Sequence, residues 1–265
     1  MTHTLGMIHT LGLAAATALI TVSSATAWAD DAPAPPPPQH VWLGKGQFGF
    51  LESKGNSDAQ SINGSIDLSR YDDGFKDALY VGGLYGKSAG IVSAERLEAR
   101  GQTDYAITTH AFVFGGLRYE HDLFDGFQYQ ASLTTGFGYT FIDSVDDKLA
   151  GQLGAGYRRL RPETITKDDS GAVVSRVPEP ATGEAIATAG IDYLHKFTPT
   201  TTLTNKFLVE HGSTNTLSHD EIALAVKMSG KLALSVGYAI TDNSNPPAPL
   251  KKVDTVTTVN LVFSF

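Results

Sequence analysis

From His40 to Phe265 the chain alternates apolar and polar side chains with a period of two. The last segment is the clearest: Val253, Thr255, Thr257, Val259, Leu261, Phe263 and Phe265 fall on one side, and Asp254, Thr258, Asn260 and Ser264 on the other. Successive side chains of a strand point to opposite faces, so such a segment carries one apolar and one polar surface. Leu232, Leu234, Val236, Tyr238 and Ile240 oppose Lys231, Ala233, Ser235, Gly237 and Ala239 in the same way. The pattern predicts about twelve strands, over 40–51, 59–71, 77–87, 95–107, 111–121, 127–140, 148–159, 183–195, 201–210, 221–228, 231–240 and 253–265. The poorest is 77–87, where Leu79, Val81 and Tyr85 compete with Ala78, Tyr80 and Leu84 for the apolar face. No stretch carries a convincing helical period.

An even strand count with both ends on one side of a membrane fixes which connections share a side. The long ones, 160–182 and 243–252, fall together; the short ones, 143–147, 198–200 and 229–230, fall opposite. That asymmetry is expected of outer-membrane barrels, which pair long external loops with short periplasmic turns.

The polar face is rich in Gly, Ser, Thr, Ala and Gln. Charges of both signs interrupt it: Arg96, Glu98, Arg100, Asp104, Arg118, Glu120, Arg158, Glu184, Asp192, Lys206 and Glu210. Small residues with mixed charges suit a confined, wet interior and not a solvent-facing surface. The apolar face brings aromatic groups near strand ends, namely Trp42, Tyr105, Tyr119, Phe127, Phe141, Tyr157, Tyr193, Phe263 and Phe265, as interfacial girdles require. The expected fold is all-β, an antiparallel transmembrane β-barrel of about twelve strands, closed so that no strand edge is stranded in hydrocarbon.

Residues 1–29 read as a cleaved secretory signal. Leu11 to Val22 has h-region length and Ala27-Trp28-Ala29 offers a small-residue cleavage site, although His3 and His9 stand where Lys or Arg is usual. Residues 30–39 hold the run Pro33-Ala34-Pro35-Pro36-Pro37-Pro38 and are expected to form an extended periplasmic leader, which leaves 40–265 for the barrel. The 265-residue chain has no cysteine, which closes disulfide and thiol chemistry. Its 28 acidic against 20 basic groups disfavour nucleic acid as a partner. Mean hydropathy of −0.09, with no mature apolar run of about 20 residues, excludes a helical membrane protein.

Val259, Leu261, Phe263 and Phe265 resemble the C-terminal strand by which outer-membrane barrels engage the barrel-assembly machinery. Further motifs are Lys54-Gly55-Asn56-Ser57-Asp58, Arg118-Tyr119-Glu120-His121-Asp122 followed by Gly126, and Gly151 to Arg159 with Gly156-Tyr157-Arg158. Two more follow: Val209-Glu210-His211-Gly212-Ser213 with Asn215-Thr216-Leu217, and Asp254-Thr255. In that order and spacing, from Val41 to Phe265, the chain resembles the YdiY-like family of salt-induced outer-membrane proteins, a domain of unknown function. The resemblance implies a barrel in the outer membrane among lipid and lipopolysaccharide, and brings no catalytic residue or cofactor.

Three functions remain for such a barrel. His211 and Ser213, two apart on one strand, share a face and offer a base and a nucleophile for a lipid hydrolase, with Asp220 and Glu221 at the start of the facing strand as the acids that could orient the His. The other mature histidines form no metal-ligand pattern. A twelve-stranded lumen lies between the filled eight-stranded kind and the open sixteen-stranded kind, so the charged inner residues either pair into a plug or line a narrow passage. Alternatively, 160–182 is an external loop of a surface-interaction or envelope protein. The sequence favours a non-enzymatic barrel with a porin-like or envelope-structural role.

Overall fold

The computed structural model describes residues 41–54, 59–123, 126–169, 173–247 and 250–265; the predicted signal and leader lie outside them. The elements are β1 (Val41–Ser53), β2 (Ala59–Asp72), β3 (Phe75–Ser88), β4 (Ile91–Ala106), β5 (Ala111–Asp122), β6 (Phe127–Asp143), β7 (Asp147–Lys167), β8 (Val173–Pro178), β9 (Thr182–Lys196), β10 (Thr201–Gly212), β11 (Thr216–Lys227), β12 (Leu232–Asn243) and β13 (Val253–Ser264). All pairings are antiparallel. The hydrogen-bonded order runs β6-β5-β4-β3-β2-β1-β13-β12-β11-β10-β9-β7, and β6 pairs with β7 to close the ring at twelve strands. β8 stands outside the ring and pairs only with the far end of β7.

Register settles the strand that the sequence left ambiguous. Tyr80 lies opposite Asp67 and Arg100, and Leu84 opposite Arg96, so Ala78, Tyr80 and Leu84 share the inner face while Leu79, Val81 and Tyr85 point outward and are exposed. Two of the tight turns are two-residue links, Asp73-Gly74 and Ala89-Gly90, with φ of 39°, 84°, 49° and 78°. Positive φ at both central positions marks the type I′ turn, whose twist matches that of the flanking strands.

Three features differ from the sequence reading. The 160–182 connection is largely ordered: β7 continues to Lys167 and β8 returns beside it as a hairpin. Arg176 on β8 donates to Glu163 at 2.6 Å and to the Leu123 carbonyl, and the Glu163 N–H donates to Gly126 O at 2.9 Å, so the hairpin is tied to the β5–β6 turn. β11 begins at Thr216, several residues before the predicted start, because Thr216, Ser218 and Asp220 make its outer face polar and hide the alternation. Phe127 is buried and not part of an outer girdle. The β6 ladder shifts register between Phe127 and Tyr129, and a bulge of that kind inverts the parity of everything beyond it.

The inner wall is sculpted by small residues. A Cβ on Gly138 would lie 2.0 Å from the Phe112 ring and one on Gly154 2.9 Å from the Phe114 ring, so both glycines make room for inward phenylalanines. On the outer wall the Phe265 ring lies over Gly44, and the two residues exchange backbone hydrogen bonds of 2.9 and 3.0 Å. Polarity is inverted relative to a water-soluble protein: Leu117, Phe137 and Leu153 are 63%, 69% and 69% exposed outside, whereas the buried groups include Arg118, Glu120, Arg158 and Glu210. This is an outer-membrane-type β-barrel.

Candidate functional site

The inward charges converge on a layer in the half of the barrel nearer the long connections. Arg118 on β5 is its centre: Nε donates to Glu98 Oε1 at 3.1 Å, Nη2 to Glu120, and Nη1 lies 3.7 Å from Glu210 Oε2. β5 and β10 are separated in the ring by β6, β7 and β9, so the Arg118–Glu210 contact passes across the lumen. Arg96 joins from β4, 2.8 Å from Glu120 and 3.4 Å from Glu98. Arg100 lies 3.4 Å from Glu98 and stacks over the Tyr80 ring at 4.2 Å.

Glu210 is also reached from β6, where the Ser132 hydroxyl donates to it at 2.8 Å, and from β7, where Arg158 Nη1 lies 3.8 Å away. Arg158 Nη2 then donates to Glu184 Oε1 at 2.6 Å and to the Asn215 carbonyl at 2.7 Å. Glu184 fixes the β10–β11 turn in addition, accepting from the Ser213 hydroxyl at 3.1 Å and from the Thr214 N–H at 2.8 Å. Arg158 is 0% exposed and Glu210 2%. Taking such ions out of water costs several kcal/mol each unless every one is paired. Here four arginines meet four glutamates, and the layer carries no formal net charge.

The remaining predicted residues stand apart from this layer. Asp104 accepts from Gln102 at 2.7 Å and from Lys76 at 3.4 Å, and Gln102 donates across to Gln152 on β7 at 3.2 Å. Asp192 and Lys206 face each other in the β9–β10 ladder and are both exposed, so the short-turn end of the lumen is open to solvent. Val259, Leu261, Phe263 and Phe265 are exposed on the outer face.

His211 and Ser213 are not brought together. The His211 ring bonds the Thr216 hydroxyl at 2.7 Å while Ser213 is spent on Glu184, so the base-to-nucleophile contact is not made. Sequence reasoning missed Tyr80, Ser132 and His219, whose ring bonds Thr241 at 3.0 Å. Strand parity alone places Ser132 inside, but nothing local in the sequence shows which residue waits for it across the lumen.

Comparison with known proteins bears on the family. The chain is 25% identical to an uncharacterized protein, YdiY of Escherichia coli K12, over 218 residues, covering 82% of this chain and 80% of that one. Among solved structures it is similar to an outer membrane channel of Pseudomonas putida F1, at TM-score 0.45 and 10% identity over 89% of this chain and 100% of that one. It is also similar to the porin NanC, at 0.44 and 8% over 84% and 98%, and to the porin KdgM, at 0.41 and 12% over 85% and 99%. Residues 46–265 match the family described as protein of unknown function, DUF481. The chain belongs to that family.

Proposed function

We propose that the protein resides in the outer membrane, among lipid and lipopolysaccharide, after export and removal of residues 1–29, and acts there without catalysis as a porin-like barrel. Its passage admits small polar solutes or ions and is held closed at rest by the charged layer. The carrying observation is the Arg118–Glu210 contact, which spans the lumen of a barrel whose outer wall is apolar. Water would not tolerate that wall, whereas acyl chains match it. Buried ion pairs that cross a lumen narrow the aqueous path through it, and the path widens when they part.

Planar-bilayer recording tests the reading. The wild-type protein should stay mostly silent, and the combined change Arg118→Ala with Glu210→Ala should raise the frequency and size of openings. Removing both partners avoids leaving one buried charge unpaired. A second reading, an envelope-structural role, is favoured by the complete burial of Arg158; it predicts a folded, inserted and equally silent double variant. Phospholipid hydrolysis by the same preparation, lost in Ser213→Ala, would restore the enzymatic alternative.

A further inference from the structure

β1 and β13, the first and last strands in the chain, meet at one seam of the ring, and their ladder is short. Lys45 to Phe48 pair with Ser264 to Leu261, four residues, whereas β1 pairs with β2 along thirteen and β12 with β13 along eleven. The same register continued would set Gly49 opposite Asn260, Phe50 opposite Val259 and Leu51 opposite Thr258, and among the described residues those pairs are not made. The ladder stops at a side-chain bridge: Asn63 on β2 donates to Asn260 Oδ1 on β13 at 2.7 Å. It crosses where a Cβ on Gly49 would be, 2.3 and 2.4 Å from the two amide oxygens.

Beyond the bridge, burial stops alternating on the β1 edge, whereas β13 goes on alternating from Asn260 back to Thr255. Phe50, Leu51 and Glu52 are all exposed, and of Val259, Thr258 and Thr257, which the continued register would set opposite them, only Thr258 is half-buried. Parity would turn Leu51 to the lumen of a shut wall, yet it is 62% exposed. Beyond Gly49, whose Cβ position still lies 2.8 Å from the Val259 carbonyl, the two edges carry no ladder in the half nearer the long connections, and in that sense they are parted. Parted edges offer main-chain donors and acceptors that a polar group can satisfy and an acyl chain cannot. Starting from β1 and running across to β5, the outward face carries a recess of about 530 Å³ over Gly64 and Gly83, bounded by Phe48, Ile62, Tyr85 and Leu97 and, among polar groups, by Glu95 and His121. Recesses of roughly 300–1,000 Å³ are of ligand size.

We propose that the parted β1–β13 seam is a lateral portal that holds a single-chain amphiphile, its tail in the Phe48–Leu97 recess and its polar head at the strand edges beside Asn63 and Asn260. The portal rests on the reading of the protein as an outer-membrane barrel, and is independent of whether the lumen conducts. A strand from a partner would also satisfy the edges, but it would have no use for the apolar recess.

The test is spin-labelled stearic acid added to phosphatidylcholine vesicles holding the full-length mature barrel, read as the immobilised component of the spectrum. Oxidising the pair Phe50→Cys and Val259→Cys should shut the seam and lower that component to the level of ordinary annular contact, set by spin-labelled phosphatidylcholine in the same vesicles, with recovery on reduction. Gly83→Leu, which fills the recess and leaves the seam alone, should lower it as well. An immobilised component unchanged by both, or disulfides that form between copies and not within one, overturns the portal. Protein that fails to float with the vesicles overturns the outer-membrane reading instead, and ion conductance unaltered by oxidation keeps the portal separate from the lumen.

Discussion

Glu210 shows most directly how one side chain ties the interior together. It is approached by Ser132, Arg118 and Arg158 from three different strands. Glu210→Ala should therefore destabilise the folded barrel by about 3–5 kcal/mol, since it leaves buried guanidinium charge uncompensated. Denaturant unfolding in detergent micelles would measure it, and a loss below about 1 kcal/mol would mean that the layer is hydrated and weak. Glycines set a second kind of constraint. Gly138→Val should push on the Phe112 ring and cost roughly 1–3 kcal/mol, with much of the loss recovered when Phe112→Ala is added. If the two changes simply add, the ring is not the obstacle. The inward side of these residues was legible from parity, because Arg96, Glu98 and Arg100 recur every second position. Their partners were not, since Arg118 and Glu210 are distant in sequence and meet only because the sheet closes.

Strands were the most legible part of the molecule, and the departures have local causes. Phe127 carries the right residue type for a girdle, but the register shift near Gln128 turns it inward, and a shift of one residue leaves no mark in composition. The β7–β8 hairpin reads as loop in the sequence because Lys167-Asp168-Asp169-Ser170-Gly171 and Pro178 are turn and breaker residues, although Thr164, Ile165 and Thr166 form a β-branched run of the kind strands favour. Arg176→Ala should loosen this hairpin from the β5–β6 turn without unfolding the ring. Added protease on intact cells should then cut between Lys167 and Val173 faster than in the wild type, while the trimmed barrel keeps its heat-modifiable migration. Equal cutting rates would show that the Arg176 bonds do not hold the hairpin down, and no cutting in either protein would place this end of the barrel on the periplasmic side.

Taken whole, the molecule inverts the usual distribution of polarity, and substitutions should follow the face and not the residue type. Phe137→Arg, on the outer wall, should cost about 2–4 kcal/mol if it lies near the bilayer midplane, and less toward either interface. Thr134→Lys, on the inner wall, should be tolerated far better; refolding yield into phospholipid vesicles compares the two, and equal yields would count against acyl chains outside. The order of the strands also bears on how the barrel is made. Every ladder in the ring but one joins strands that are consecutive or, around the β8 hairpin, nearly so. Such a chain can zip hairpin by hairpin at little entropic cost, and only the latch between Lys45 and Ser264 must wait for both extremities to meet. A latch of four pairs with the Phe265 ring folded over Gly44 makes this final step the slowest in assembly and the first to spring open under force.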